Sequence, residues 1–248
     1  MQRYLITLSY DGTAYHGWQI QPTGSSIQEE LQRALTTLLR QNIAVTGAGR
    51  TDTGVHARMM TAHFDTDTAV DCQQLVYKLN RMLPQDIAVS DVRAVSSSLH
   101  ARFSATSRTY CYYLHTRKDP FIRPFSYEIH YDLDFEMMNM AAATLLTHND
   151  FAAFQKSNTD NKTTLCRVSE ARWTADGDGK WHFTITADRF LRNMVRAIVG
   201  TLIDVGRHKI SVSDFTTIIE SGDRRAAGES APANGLFLER IVYDTKEQ

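Results

Sequence analysis

An α+β fold built from two similar halves is what this sequence predicts, and three observations predict it. Short apolar alternations of strand period recur along the chain, separated by stretches of helical period. The order strand, helix, two strands, helix, strand occurs in the first hundred or so residues and again in the remainder. Apolar residues make up 42% and charged residues 22% of the 248, the balance of a globular chain with a core of ordinary size.

Residues 4–10 alternate as a half-buried strand does. Ser25 and Ser26 then offer an N-cap, and Gln28 or Glu29 three positions on completes a capping box. Behind it Ile27, Leu31, Ala34, Leu35, Leu38 and Leu39 recur at helical spacing. Residues 45–49 and 60–64 are strands flanking a tight Gly-rich turn, 71–83 form a second amphipathic helix stopped by Pro84, and 87–95 supply the closing strand. In the second half, 109–115 is a strand and 134–146 a helix. Residues 166–174 and 181–188 form a hairpin around Asp176-Gly177-Asp178-Gly179. The stripe Leu191, Met194, Val195, Ile198, Val199, Leu202 marks a helix with Arg189, Arg192 and Arg196 along one flank, ending at Gly206 as its C′ residue. Residues 236–243 are the last strand, and 118–129, with Pro120 and Pro124, read as an insertion. Two β-α-β-β-α-β units suggest two ferredoxin-like halves, residues 1–104 and 105–248. Their edge strands are expected to pair into one continuous, mainly antiparallel sheet with helices on one face and a central cleft.

Composition narrows the function classes. No run of ~20 apolar residues is present to span a membrane. The N-terminus enters a strand pattern directly, without an apolar signal region, so a cytoplasmic location is expected. Cys72, Cys111 and Cys166 are odd in number and lack C-x-x-C spacing, which excludes a disulfide framework or a zinc site and leaves small buried hydrophobes. A net charge of −1 hides two basic stretches. Residues 99–125 hold five Lys/Arg (Arg102, Arg108, Arg117, Lys118, Arg123) against one acid, Asp119, and 189–209 hold five more against Asp204. Converging on one face, they would neutralise backbone phosphates; separately, each is a solvated surface.

The most informative stretch is Gly47-Ala48-Gly49-Arg50-Thr51-Asp52-Thr53-Gly54-Val55-His56-Ala57. Its three glycines permit positive φ or close backbone approach and frame an Arg and an Asp two positions apart. Neither a dinucleotide fingerprint nor a P-loop fits, since Gly49 is not followed by a glycine three positions on and no Gly-Lys-Ser/Thr occurs there. From these residues alone Asp52 is either a turn cap or a catalytic carboxylate.

Residues Gly49 to Ala57 closely resemble the active-site motif of the tRNA pseudouridine synthase A family. Tyr10-Asp11-Gly12-Thr13-Ala14-Tyr15-His16-Gly17-Trp18-Gln19 is similar to that family's N-terminal strand and loop. Further matches are Phe103-Ser104-Ala105 with Arg108-Thr109-Tyr110, then Met194 to Gly200, then Ala231 to Leu238. The resemblance implies two ferredoxin-like halves in one sheet, a homodimer, no cofactor and no metal. It implies isomerisation of uridines at positions 38, 39 and 40 of the tRNA anticodon arm. Residue by residue, Asp52 matches the catalytic aspartate, Arg50 the arginine entering the space a flipped nucleotide vacates, and Tyr110 the tyrosine stacking on the flipped base. Arg196 matches the arginine that pairs with the aspartate. The chain departs from common members in carrying Arg192-Asn193 where a His pair precedes Met-Val-Arg, and in stopping at Gln248 soon after the last strand. Two rival readings stand beside this one. One is a non-catalytic RNA-binding protein with two RRM-like halves; the other is a metal hydrolase using Asp52, His56, His63 and Asp65, which lack a recognised ligand spacing.

Overall fold

The computed structural model describes residues 1–156 and 163–244. In chain order the elements are β1 (Gln2–Tyr10), α1 (Ile27–Leu39), β2 (Val45–Gly47), β3 (His56–Thr66), α2 (Cys72–Met82) and β4 (Ile87–Val95). They continue with β5 (Ala105–His115), β6 (Tyr127–Glu128), α3 (Phe135–Thr144), β7 (Val168–Gly177), β8 (Lys180–Ala187), α4 (Met194–Gly206), α5 (Val212–Ser221) and β9 (Leu236–Tyr243). The result is a mixed α+β chain whose strands pair mostly antiparallel. It folds as two compact units: residues 1–107 joined by the chain from Phe237 onward, and Arg108–Leu236.

In the first unit β1 lies between β4 and β3, antiparallel to both, so Leu5 faces Arg93 on one side and His63 on the other. Short β2 adds to β3 antiparallel, and β9 pairs with the start of β3 in parallel, His56 with Phe237 and Ala57 with Leu238. The alternation read over residues 4–10 holds in part: Tyr4, Ile6, Leu8 and Tyr10 form a buried face with Thr7 and Ser9 less buried opposite, but Leu5 on that opposite face is buried too. Ser26 caps α1 by accepting from Glu29 N, and Ile27, Leu31 and Leu35 form its buried stripe. Each such side chain contributes roughly 1.5–3 kcal/mol through removal from water. Asp71 caps α2 by accepting from Gln74 N, and Leu75 and Leu79 turn inward.

In the second unit β5 pairs antiparallel with β8 from Arg108↔Ala187 to His115↔Lys180, and β8 with β7. The hairpin turn takes its reversal from Gly177, Asp178 and Gly179, all at positive φ. Helix α4 is apolar nearly all round and correspondingly buried against α3 and α5.

Three local expectations are corrected here. Helix α4 starts at Met194, because Asn193 sits at φ 66 and breaks the helical phase; Leu191 is buried from a non-helical position that happens to match the periodicity. Arg189 and Arg192 therefore precede the helix, and only Arg196 lies on it. Gly206 is the last helical residue and not C′: a Cβ there would lie 2.5 Å from Met138 Sδ, so the glycine serves helix–helix approach, while the left-handed residue is His208 at φ 56. Helix α5 was unforeseen, although Ser211 and Asp214 form a full capping box at its start. Among the described residues no helix is long and apolar enough to cross a membrane.

Candidate active site

The Gly-rich motif lies between β2 and β3, and a second loop, residues 11–18, holds it in place. Trp18 N donates to Thr51 O at 3.2 Å, and Gly54 N donates to Tyr15 O at 3.4 Å. The Tyr10 and Thr51 hydroxyls share a hydrogen bond of 2.9 Å in the interior. Within the motif Val55 N donates to Asp52 O at 3.1 Å, making the tight turn that presents the Asp52 side chain. His56 opens β3 fully buried, its ring stacked on Phe237 with centroids 4.5 Å apart. His56 Nδ1 lies 3.1 Å from Gly12 N and 3.0 Å from Asp11 Oδ1. Unprotonated, this nitrogen accepts from Gly12; protonated, it donates to the carboxylate, so either form ties the start of β3 to the loop of residues 11–18. The outer loop is pinned in turn by Tyr15, whose buried hydroxyl donates to Asp86 Oδ1 at 2.6 Å. Burial first, and then Asp86, push that phenol well above its usual range.

Asp52 is half-buried and Arg50 exposed, two positions apart at the rim of this double loop. The three motif glycines prove to have different reasons. Gly54 is at φ 75, which L side chains avoid. A Cβ on Gly47 would fall on the Trp18 indole. At Gly49 a Cβ would meet nothing within 4 Å, so neither strain nor packing demands a glycine there. Gly47→Ala is expected to cost about 1–3 kcal/mol and Gly49→Ala less than about 0.5 kcal/mol. Denaturant midpoints of the two variants check this, and equal losses would contradict it.

In the second unit, Tyr110 is half-buried on β5, opposite Ile185, with its ring edge-to-face against Phe190 at 5.1 Å. Its neighbour Tyr112 is a packing residue, fully buried, donating to Pro232 O at 2.9 Å. Arg196 is half-buried on the first turns of α4, and its Nε donates to Ala231 O at 2.7 Å. Ala231 N donates back to Arg196 O at 2.9 Å, and a Cβ on Gly200 would collide with Glu229 O. The motif segment 194–200 thus lies against residues 229–231, much as 10–19 and 49–57 lie together in the first unit. Part of the basic character is spent internally. Lys209 pairs with Asp204 at 3.1 Å, Arg207 lies over Tyr131 at 4.2 Å, and Arg108 donates to Asp188 O at 2.7 Å.

The four residues of the metal-hydrolase reading are not brought together. His56 and His63 are separated along β3 by seven residues, roughly 23 Å of strand. Asp65 is held in a two-pronged pair with Arg3, at 2.8 Å for each contact, which lowers its carboxyl below the usual range. Among the described residues no cluster of three or more His, Cys, Asp or Glu is placed to hold a metal. Sequence reasoning missed Thr51, Tyr15 with Asp86, and Phe190. Only Thr51 and Tyr15 lay inside motifs already singled out.

Residues 6–104 and 141–244 match the tRNA pseudouridine synthase family. A Bacteroides fragilis protein named tRNA pseudouridine synthase A is 57% identical over 244 residues, 98% of this chain and 97% of that one. A protein of the same name from Porphyromonas gingivalis is 52% identical over 246 residues, 98% of each chain. One from Bacillus subtilis is 40% identical over 246 residues, 98% of this chain and 99% of the other. The chain is therefore that of an RNA-modifying isomerase. The chain belongs to the tRNA pseudouridine synthase family, whose members convert uridine to pseudouridine.

Proposed function

We propose that this enzyme isomerises uridines 38, 39 and 40 in the tRNA anticodon arm, with Asp52 as its catalytic carboxylate. The observation that carries the reading is the half-buried Asp52 on a turn fixed by backbone bonds to a second loop, within the family's own motif. Pseudouridine formation breaks the N1–C1′ bond, turns the uracil and forms a C5–C1′ bond; the C5 proton leaves and N1 gains one. A carboxylate beside C1′ either attacks it or stabilises its positive charge as the bond opens. Nothing is oxidised or hydrolysed, so the reaction calls for neither cofactor nor metal. Arg50, exposed beside Asp52, fills the space left by the flipped nucleotide, offsetting part of a cost of a few kcal/mol. Tyr110, steadied by Phe190, stacks on the flipped base. Arg196, oriented through Ala231, pairs with Asp52; at ~4 Å and an effective dielectric near 20 the attraction is about 4 kcal/mol before desolvation. The family resemblance supports two ferredoxin-like halves, 1–104 carrying the Asp motif and 105–248 completing a cleft in one continuous sheet. It also supports a cytoplasmic homodimer.

Mapping pseudouridine in tRNA from cells lacking this protein tests the assignment: loss confined to positions 38–40 is expected, and undiminished modification there refutes it. Activity on purified tRNA should survive EDTA and dialysis. The basic stretches give a separate expectation. Neutralising Arg117 or Arg192 should weaken binding to all tRNAs alike and flatten the salt dependence by about one unit or less, whereas loss of Arg50 or Arg196 should slow turnover more than it weakens binding. Affinity against salt, beside single-turnover rates, decides it; an unchanged slope in both Arg117 and Arg192 variants rules out a shared phosphate-binding surface.

A further inference from the structure

The connection from β4 to β5, residues 96–104, is fastened at nearly every position. Arg3, held by Asp65, donates Nη1 to Ser97 O at 2.8 Å and to Leu99 O at 2.9 Å. Ala101 N donates to His63 Nδ1 at 3.1 Å, and Ala101 O accepts from Tyr243 OH at 2.7 Å. His100 and Ser104 close the end of the loop on each other: Ser104 N donates to His100 O at 2.9 Å and His100 N to Ser104 Oγ at 3.1 Å. His100 Nδ1 accepts from both Arg102 N and Phe103 N, at 3.1 and 3.3 Å, which fixes the imidazole plane. Leu99 and Ala101 are completely buried.

On this rigid loop one large aromatic points out: Phe103 is 77% exposed. Its ring is backed by His100 at 4.4 Å, which meets His63 edge-on at 4.8 Å, and the Arg102 guanidinium carbon lies 5.7 Å from its centroid. Burial holds His63 down at about 4 and lowers His100, with Arg3 adding to both, so at neutral pH both rings are uncharged acceptors for the backbone amides just named. Arg3 is paired with Asp65, and Arg102 places its guanidinium beside the Phe103 ring.

We propose that Phe103 with Arg102 is a preformed stacking platform for an unpaired nucleobase of the substrate RNA, set apart from the reacting nucleotide. The proposal rests on the RNA reading above. The loop is tied to His63 toward the far end of β3, whose other end carries the Asp52 turn, some 23 Å of strand away. An aromatic face with an adjacent guanidinium suits unstacked bases, which offer a π-face whatever their sequence, next to a phosphate that a cation attracts. A protein partner would require further apolar surface, and the other exposed residues of this loop are Ser96, Ser97, Ser98 and Arg102. Rigidity matters because a base docking on an ordered ring freezes no protein side chain.

The test compares wild-type enzyme with Phe103→Ala, Phe103→Leu and Phe103→Trp, measuring tRNA affinity, single-turnover rate at saturating tRNA, melting temperature and oligomeric state. Alanine and leucine are expected to weaken tRNA binding roughly 5- to 100-fold, leaving the saturated rate and melting temperature near wild type, while tryptophan restores affinity. Leucine keeps apolar bulk without a π-face, so wild-type affinity in Phe103→Leu overturns stacking. Unchanged affinity in Phe103→Ala, or a changed oligomeric state without a change in affinity, overturns the platform while leaving the activity standing. Failure of the wild-type enzyme to bind tRNA overturns both.

Discussion

Asp52→Asn is expected to abolish pseudouridine formation, by more than about 10³-fold in single-turnover rate, while tRNA affinity stays within about tenfold, or ~1.4 kcal/mol. The reasoning is local. Asparagine has almost the same shape, and the bond that shapes the turn, Val55 N to Asp52 O, uses the backbone and survives the change. Thr51, which anchors the turn to Tyr10 and Trp18, is untouched. What disappears is a negative charge and a nucleophilic oxygen, the two properties on which either version of C1′ chemistry depends. Substantial turnover by a correctly folded Asp52→Asn enzyme would end the assignment of this residue.

Gly12→Ala should produce a large loss of stability while leaving every side chain near Asp52 in place. A Cβ at this position would overlap Val55 O and crowd Val55 C at 2.7 Å, and backbone atoms do not swing aside as side-chain ends do. Val55 has little room to yield, bonded to Asp52 behind it and followed by the fully buried His56. Overlap of this kind costs about 1–3 kcal/mol or more, and a shift of ~1 Å in the turn lowers turnover ~10²-fold. Melting temperature should fall by about 4–10 °C. Thermal unfolding and single-turnover rates measured on one preparation check both parts. A variant matching the wild type in both would mean that loops 11–18 and 51–56 do not meet as described.

Elements whose signals are local were legible in the sequence. Residues 87–95 and 236–243 were delimited correctly, Ser26 caps the first helix as expected, and Asp71 and Asp134, read as the first residues of the next two helices, prove to be their caps. The failures share a cause, which is that a neighbour outside the segment decides the conformation. Asn193 at φ 66 interrupts a regular apolar periodicity, with its side-chain amide donating to Ser230 Oγ at 2.6 Å and Leu191 buried just before it. Gly206 looked like a helix terminator and is a contact with Met138. At the site, Asp52 and Arg50 stood out because the motif is contiguous. Asp86 was invisible because its hydrogen bond to Tyr15 spans 71 residues, and Phe190 because its ring meets Tyr110 from a loop 80 positions further along (190 − 110).

The return of β9 to the first unit has a consequence for biosynthesis. His56 packs on Phe237, and Thr61 and Ala101 both bond to Tyr243, partners made some 140 to 180 residues later. A nascent chain that has just completed residue 107 lacks the strand that covers the start of β3, with the Asp52 turn beside it. At ~5–20 residues per second, roughly 6–26 s pass before residue 237 is added (237 − 107 = 130 residues), and a chaperone has that interval in which to act. Contacts this distant in sequence also close slowly. A ribosome-bound chain halted short of Phe237 should therefore hold its first unit open around His56, and catalytic competence should arrive only once β9 has been made.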